Sequence, residues 1–373
     1  MVVMPMRERV TMRSANKLKL GLFGANCSSG RAVTMVEERW SGSWDDNLKL
    51  ARLADGAGIE FMLPIGRWKG YGGDTDYQGA TLESVTWASG LLAGTERLTV
   101  FATVHAPLIH PVIAAKQFVT ADHIGHGRFG LNLVVGWNEG EFQMFGVAQR
   151  DHERRYAYGA EWIEAVKRLW GPEEDFDIAG EYIKLAKVRA KPKPYGGSRP
   201  MIMNAGASST GQDFAIRHCD ALFSNADRAT MADWGKHVGR VKALAQAQGR
   251  EIDVYTVGVV TCRPSEKEAR DYYRHCVIDH ADWNAVDRIL GMKNITRQNH
   301  PDDFDALRNH AANGMGGLPI IGDPDQVAQM LAELSAAGFT GIGLSLVNYL
   351  EELPYFCAEV LPRLARLGLR EKG

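Results

Sequence analysis

Short apolar runs alternate with longer amphipathic segments along the whole chain. The short runs have the length and residue types of buried strands, while the longer segments repeat apolar positions at helical spacing. Eight runs are predicted as strands: Leu18–Phe23, Phe61–Leu63, Leu98–Thr103, Arg128–Val135, Met201–Met203, Ala221–Ser224, Val254–Thr261 and Gly341–Leu346. Eight strands alternating with helices predict an α/β fold, specifically a (β/α)8 TIM barrel.

The helices are predicted between and after these strands. Asp323 and Pro324 are typical of a helix start, and the apolar residues that follow them recur at helical spacing up to Gly338. One face of this helix should therefore pack on the barrel. The predicted helices are Ser43–Gly56, Thr81–Ala93, Pro111–Ile124, Glu153–Trp170, Thr210–His218, Arg228–Ala247, Ser265–His280, Asp323–Ala337 and Glu351–Leu367.

Two stretches interrupt the alternation, residues 171–200 and 281–318. The first indicates a hairpin followed by a Lys-Pro-Lys-Pro connector, and the second is polar with weak periodicity. Long loops in a barrel are typical of lids or substrate walls, and a structural or dimer-contact role is the alternative. We predict insertions at both places, a flexible tail over residues 1–16 and a single barrel domain over residues 17–373.

Charge and composition argue against several classes of protein. The net charge of −2 supplies no basic field for nucleic acid. Five scattered cysteines without a C-x-x-C pair indicate a reducing cytoplasm. No run approaches the roughly 18 apolar residues needed to span a bilayer. His105 and His110 lack a nearby acidic ligand, so we predict no metal site.

Polar residues mark the ends of several predicted strands. Thr103 and His105 close the third strand, Asn132 interrupts the fourth, and Gly206 and Ser208 follow the fifth. In a barrel these ends meet at one mouth, where active sites are built. A buried amide such as that of Asn132 needs hydrogen-bond partners. A flavin or another polar heterocycle would supply them, and so would a neighbouring strand.

A phosphate site is predicted near the same mouth. Residues 205–211 read Ala-Gly-Ala-Ser-Ser-Thr-Gly, and exposed amides with hydroxyls at a helix start suit a phosphate. Such turns also cap helices without binding anything. Arg155 and Tyr156 begin the preceding helix and could reach the same phosphate, although Arg154 and Arg155 would equally fit a charged surface.

Taken together, these motifs resemble the bacterial luciferase-like flavin-dependent monooxygenases. The resemblance covers residues 18–367 and is strongest to the branch of pyrimidine and dimethyl sulfone monooxygenases, with alkanesulfonate monooxygenase more distant. The stretches that carry it are Arg67–Gly73, Phe101–His105, Ala114–Gln117, Gly127–Glu141, Arg154–Tyr156, Asn204–Ser208 and Ile321–Val327.

The resemblance implies a barrel that uses reduced FMN (FMNH2) and O2, with NAD(P)H consumed by a separate flavin reductase. It places Thr103 and Asn132 beside the reactive edge of the flavin, where His105 is a candidate for proton exchange near neutral pH. Residues at flavin-binding positions are Gly66, Arg67, Asn132, Glu141, Arg155, Tyr156, Gly206 and Ser208. At Gly66 and Arg67 the residue types differ from those of the pyrimidine enzyme.

The implied activity is a two-component monooxygenase that oxygenates or oxidatively cleaves a small heteroatom-containing compound, such as an N-heterocycle. Cleavage of a C–S bond in a sulfone or sulfonate is the alternative, although Asn348 stands where enzymes of that kind tend to have a histidine. A deazaflavin-dependent dehydrogenase, a flavin-binding protein without activity and a metal hydrolase are further alternatives. The resemblance also implies a homodimer or homotetramer, and the scattered cysteines predict a cytoplasmic protein.

Overall fold

The computed structural model describes residues 11–224, 226 and 228–371. Ten residues of the predicted tail therefore lie outside the described part. Of the others, Thr11–Arg13 form a turn of 3-10 helix, and Met12 is buried against the apolar side chains inside the barrel.

Eight parallel strands close into a barrel, as predicted. Each pairs with the next in the order β11-β1-β2-β3-β4-β7-β8-β9, and β9 returns to β11. The bounds are β1 Lys19–Phe23, β2 Phe61–Leu63, β3 Thr99–His105, β4 Phe129–Val134, β7 Met201–Asn204, β8 Ala221–Phe223, β9 Asp253–Cys262 and β11 Gly341–Ser345.

Three further strands lie outside this ring. β5 Phe176–Ala179 and β6 Lys184–Val188 pair antiparallel, which confirms the hairpin predicted in the first insertion. β10 Leu318–Gly322 pairs with the second half of β9 and was not predicted. Its run of apolar residues is short and contains Pro319, which the patterns of strand residues disfavour.

The helices cover the outside of the barrel close to the predicted positions. The predicted helix at 228–247 begins only at Trp234, after a 3-10 turn over Arg228–Asp233. Their bounds are α1 Trp44–Gly56, α2 Ser84–Ala93, α3 Pro111–Ile124, α4 Glu139–Met144, α5 His152–Trp170, α6 Ser209–His218, α7 Trp234–Ala247, α8 Glu266–Arg274, α9 Trp283–Met292, α10 Phe304–Ala312, α11 Pro324–Ala336 and α12 Tyr349–Arg366.

Helix α11 shows why these segments are helical. The Asp323 carboxylate accepts hydrogen bonds from the backbone N–H of Asp325 and Gln326, and the Gln326 side chain accepts one from the Asp323 N–H. This reciprocal capping satisfies amides that would otherwise have no partner in the helix. Val327 and Leu331 are buried on the face toward the barrel, as the spacing predicted.

Aromatic rings fill the barrel below its mouth. Phe61 packs edge-on against Phe101 and Tyr255, with ring centroids 6.0 and 5.7 Å apart. The Phe101 ring lies 2.4 Å from where a Cβ of residue 130 would be, so only glycine fits at that position of β4. These rings occupy the interior of the barrel and separate the carboxyl ends of the strands from the amino ends.

The second insertion is more ordered than its sequence indicated. Instead of an irregular polar segment, it contains α9 and α10, which bury Val286 and Ile289 in a separate apolar core with Tyr71 and Tyr77. The carboxylate of Asp282 caps α9 and accepts hydrogen bonds from Thr75 at 2.7 and 2.8 Å. The insertion is thereby fixed to the loop after β2 as a wall beside the mouth.

None of the helices in the described ranges is long and apolar enough to cross a membrane.

Candidate active site

Thr103 and Asn132 meet at the carboxyl ends of β3 and β4, where they are direct partners in the sheet. The Asn132 amide donates to the Thr103 hydroxyl at 3.1 Å, and that hydroxyl donates to the carbonyl of Pro64 at 2.6 Å. The Asn132 carbonyl oxygen is buried without a partner. Because a hydroxyl has one proton, Thr103 can only accept from a ligand. It holds Asn132 so that an acceptor oxygen is left for one.

Gly66 brings the loop after β2 against this pair. A Cβ at position 66 would lie 3.0 Å from Thr103 and 3.1 Å from the His105 ring, so a larger side chain would displace one of them. Gly66 therefore lies beside the predicted catalytic residues. The hydrophobic and polar pattern did not single out Gly66, which was predicted only from the family resemblance.

Glu141 and Arg67 form a buried ion pair at 3.0 Å. The same Glu141 oxygen accepts hydrogen bonds from the backbone N–H of Trp68 and Lys69, and the Arg67 guanidinium lies 4.5 Å from the Tyr71 ring centroid. The carboxylate thus joins α4 to the loop after β2. Both residues were predicted to bind flavin. The structure brings them together, but their charges are paired with each other.

His105 is buried at the end of β3, which moves its pKa away from the near-neutral range in which proton exchange was predicted. Burial lowers its pKa to about 4, and the nearby Glu141 carboxylate, 3.7 Å from Nε2, only partly opposes this. The ring is neutral at pH 7, and its buried Nδ1 has no partner. His105 can therefore exchange a hydrogen bond with a ligand, but it does not supply a proton as an imidazolium.

We expect His105 to make the fold less stable as the pH falls from about 6.5 to about 4. The unfolded residue binds a proton near pH 6.5, whereas the folded ring does so only near pH 4. The stability is fully present above this window and is lost through it, up to about 3 kcal/mol.

The measurement is urea unfolding of the wild type and of His105→Asn across this pH window. The difference in unfolding free energy between them should grow with pH. Asp122, whose pKa burial raises to about 6, acts in the opposite direction but is common to both proteins and cancels. A difference that is constant with pH would contradict the neutral, buried state of His105.

Arg155 and Ser208 lie on the neighbouring side of the mouth. Arg155 donates to the carbonyl of Gly136 at 2.6 Å, while its buried Nε has no partner. Ser208 is the N-cap of α6, and its hydroxyl meets Nε2 of His152 at 3.2 Å. His152 was not predicted, because nothing in its local sequence distinguishes it from a surface residue. The first turns of α5, which carry His152 and Arg155, thus lie against the start of α6.

The backbone around Gly206 is packed closely enough to support that helix start. A Cβ at position 206 would lie 2.5 Å from the Cα of Gly211, and one at 211 would lie 2.5 Å from the Tyr156 hydroxyl. Burial raises the pKa of Tyr156, and its hydrogen bond to Ser208 partly opposes this. The predicted residues Tyr156, Gly206 and Ser208 therefore form one cluster.

Gly136 connects the two halves of the site. Its carbonyl binds Arg155, and a Cβ on it would lie 3.7 Å from the His105 ring.

A cavity of 630 Å³ adjoins the outer rim and is bordered by Lys69, Tyr71 and Arg288. The arrangement fits a ligand with an anionic tail and a polar ring. No group of three metal-ligating side chains converges within the described ranges.

The closed parallel barrel thus carries a helix start at Ser208 and unpartnered polar atoms of Arg155 and Asn132 at the carboxyl ends of its strands. The sequence model of the family described as "Luciferase-like monooxygenase" matches residues 18–341. The chain belongs to this family.

Three known proteins illustrate the similarity. The chain is 30% identical to the FMNH2-dependent dimethylsulfone monooxygenase of Pseudomonas fluorescens (strain Pf0-1), covering 96% of this chain and 98% of the relative. It is 28% identical to the pyrimidine monooxygenase RutA of Enterobacter sp. (strain 638), with 92% and 96% covered. The crystal structure of DmoA from Hyphomicrobium sulfonivorans has the same fold, with a TM-score of 0.83, 17% identity, and 94% and 88% covered.

Proposed function

We propose that this protein is the oxygenase of a two-component system that uses FMNH2 and O2 to oxygenate a small heteroatom-containing compound. The carrying observation is the unpartnered carbonyl of Asn132, held by Thr103 at the same mouth as Arg155 and Ser208. The names of the relatives support the use of FMNH2. A separate NAD(P)H-dependent flavin reductase is the proposed partner, and a cytoplasmic homodimer or homotetramer is the proposed form.

The residues present fit FMN. Arg155 and the start of α6 at Ser208 would hold its phosphate, because a guanidinium and helix-start donors suit a dianion. Asn132 would accept a hydrogen bond from a ring N–H, and the free Nδ1 of His105 would meet another polar edge. Bound in its reduced form, the cofactor supplies the electrons that activate O2.

The remaining work of the protein is positioning and exclusion of water. Thr103 fixes the Asn132 amide in one orientation, and the buried Arg67–Glu141 pair fixes the loop that borders the ring site. Neutral His105 adds no second positive charge beside the Arg67–Glu141 pair. The insertion with α9 and α10 walls the site from solvent on one side, which suits chemistry that water would divert.

The substrate class has two proposed forms. The similarity to pyrimidine monooxygenases supports an N-heterocycle, and the similarity to dimethylsulfone monooxygenases supports a C–S compound. The test is turnover of uracil, dimethyl sulfone and methanesulfonate with FMN, NADH and a generic flavin reductase, under air and without oxygen. Oxygen-dependent products containing an atom from labelled O2 are the expected result.

Two outcomes would overturn this proposal. Anaerobic hydride transfer with a deazaflavin in place of FMN would identify a dehydrogenase. Tight FMN binding without any oxygen-dependent product, across a panel widened to other heterocycles and sulfur compounds, would identify a binding protein.

A further inference from the structure

Arg31 lies in the loop after β1 and extends over the barrel mouth. Its guanidinium carbon is 4.9 Å from the centroid of the Phe23 ring, which packs against Phe223 at the end of β8. Its side chain makes one hydrogen bond, to the carbonyl of Gly314 in the second insertion. The Nε atom is buried without a partner. A guanidinium with five N–H donors is thus largely unused.

The groups around Arg31 do not neutralise it. Its electrostatic neighbours are Tyr77, Tyr349, Tyr71 and Cys27, and burial raises the pKa of each, that of Cys27 to about 12. All four are therefore uncharged at pH 7. No carboxylate of the described residues lies within ion-pair distance of Arg31. By contrast, the buried guanidinium of Arg67 has Glu141.

A second cation lies on the same side. Lys293, the C-cap of α9, has an exposed side chain, and partial desolvation and then the charge of Arg31 lower its pKa. Solvent screens the exposed Lys293, but the buried Nε of Arg31 belongs to a cation without an acid, which is unfavourable unless an anion joins it. The loop after β1 thus carries an uncompensated positive charge that an anionic ligand would neutralise.

This place is separate from the phosphate seat. In the closed ring of strands, β1 is four strands from β7 in either direction, so Arg31 after β1 is opposite Ser208 after β7. An anion at Arg31 would face the cofactor site across the mouth and belong to a different molecule or to a different part of the same one.

We propose that Arg31 binds the anionic group of the substrate, which is therefore a small organic anion such as a carboxylate, sulfonate or phosphonate. This rests on the proposed function, because it assigns the substrate class of the same site. Arg31 is then a specificity-determining residue, and the neutral compounds that the relatives' names suggest are poorer ligands for this protein.

The test compares two matched pairs of probes on the FMN-loaded protein by isothermal titration: methanesulfonate with dimethyl sulfone, and orotate with uracil. Within each pair the members have closely similar frameworks, and only one is charged. The anion of at least one pair should bind about tenfold tighter or more, as expected of a charge-assisted hydrogen bond. Arg31→Leu should remove this difference, and Arg31→Lys should retain part of it. Equal or weaker binding of both anions by the wild type would overturn the proposal.

Arg39→Leu is the matched control. This change removes the same charge from the same loop, but the Arg39 guanidinium donates its hydrogen bonds to the carbonyls of Met35 and Val36. It should keep the preference for anions. Reduced FMN binding is measured in parallel under anaerobic conditions. If Arg31→Leu weakens reduced FMN as much as the anion, Arg31 serves the flavin and the proposal is wrong. Preference for anions without oxygen-dependent turnover would instead refute the proposed function alone.

Discussion

Replacing Arg155 by alanine should weaken FMN binding by more than about 100-fold and leave riboflavin binding nearly unchanged. Only FMN carries the phosphate, and each charge-assisted hydrogen bond to it contributes about 1.5–3 kcal/mol. One nitrogen of the guanidinium is anchored on Gly136, and Nε is unpartnered, so the group is positioned before a ligand arrives. Fluorescence titration of both oxidised flavins measures the two dissociation constants.

Arg154→Ala is the control for this experiment. Arg154 is the preceding residue, its side chain is 72% exposed, and it pairs with Asp151 on the surface at 3.4 Å. The change removes the same charge from the same helix turn without touching the predicted phosphate seat. Equal weakening of FMN and riboflavin by Arg155→Ala, or equal effects of the two variants on FMN, would contradict the assignment.

Replacing Thr103 by valine should separate flavin binding from productive chemistry. Valine keeps the branched shape but leaves the Pro64 carbonyl and the Asn132 amide without their shared partner. The Asn132 amide then loses its fixed orientation. We expect the product formed per reduced FMN to fall several-fold, hydrogen peroxide to rise correspondingly, and FMN affinity to change by less than about threefold, because positioning of reacting groups affects chemistry more than ground-state binding.

The measurement is a single turnover in which premixed protein and FMNH2 meet oxygenated buffer and substrate, so that no reductase contributes. Thr103→Ser restores the hydroxyl and should recover most of the yield. Asn132→Ala should lower both the yield and FMN affinity. Unchanged coupling in Thr103→Val would show that this hydrogen-bond chain has no part in oxygen activation.

The barrel itself was predictable because its signals are local. Helix α3 has the predicted bounds, since His110 caps it, Pro111 begins it and Gly125 follows it. The eight barrel strands are short apolar runs between turn residues. β10 was not predicted because a proline interrupts its apolar run. α9 was not predicted because its buried face is short and lies between charged residues, and it packs on the loop after β2.

For the candidate site, the sequence predicted which residues lie near one mouth but not the contacts they make. The ends of β3, β4 and β7 place Thr103, Asn132 and Gly206 near one mouth whatever the side chains do. That Glu141 uses its charge on Arg67, and that His105 is neutral at pH 7, depends on burial and on distances across the fold. Arg31 gave no signal, because an arginine in a polar loop normally faces water.

The aromatic filling of the barrel limits how this protein can exchange its reactants. Phe61, Phe101 and Tyr255 occupy the interior of the barrel, so a ligand reaches the strand ends from the mouth and not through the barrel. Reduced FMN and the substrate then bind from the same side, so the one that binds second must dissociate before the first can leave. Initial-rate measurements should therefore show an ordered binding mechanism. A reactant that binds out of order should inhibit at saturating concentration, because it blocks binding of the other. Under the proposed two-component function, the rate at which the reductase supplies FMNH2 would then limit turnover.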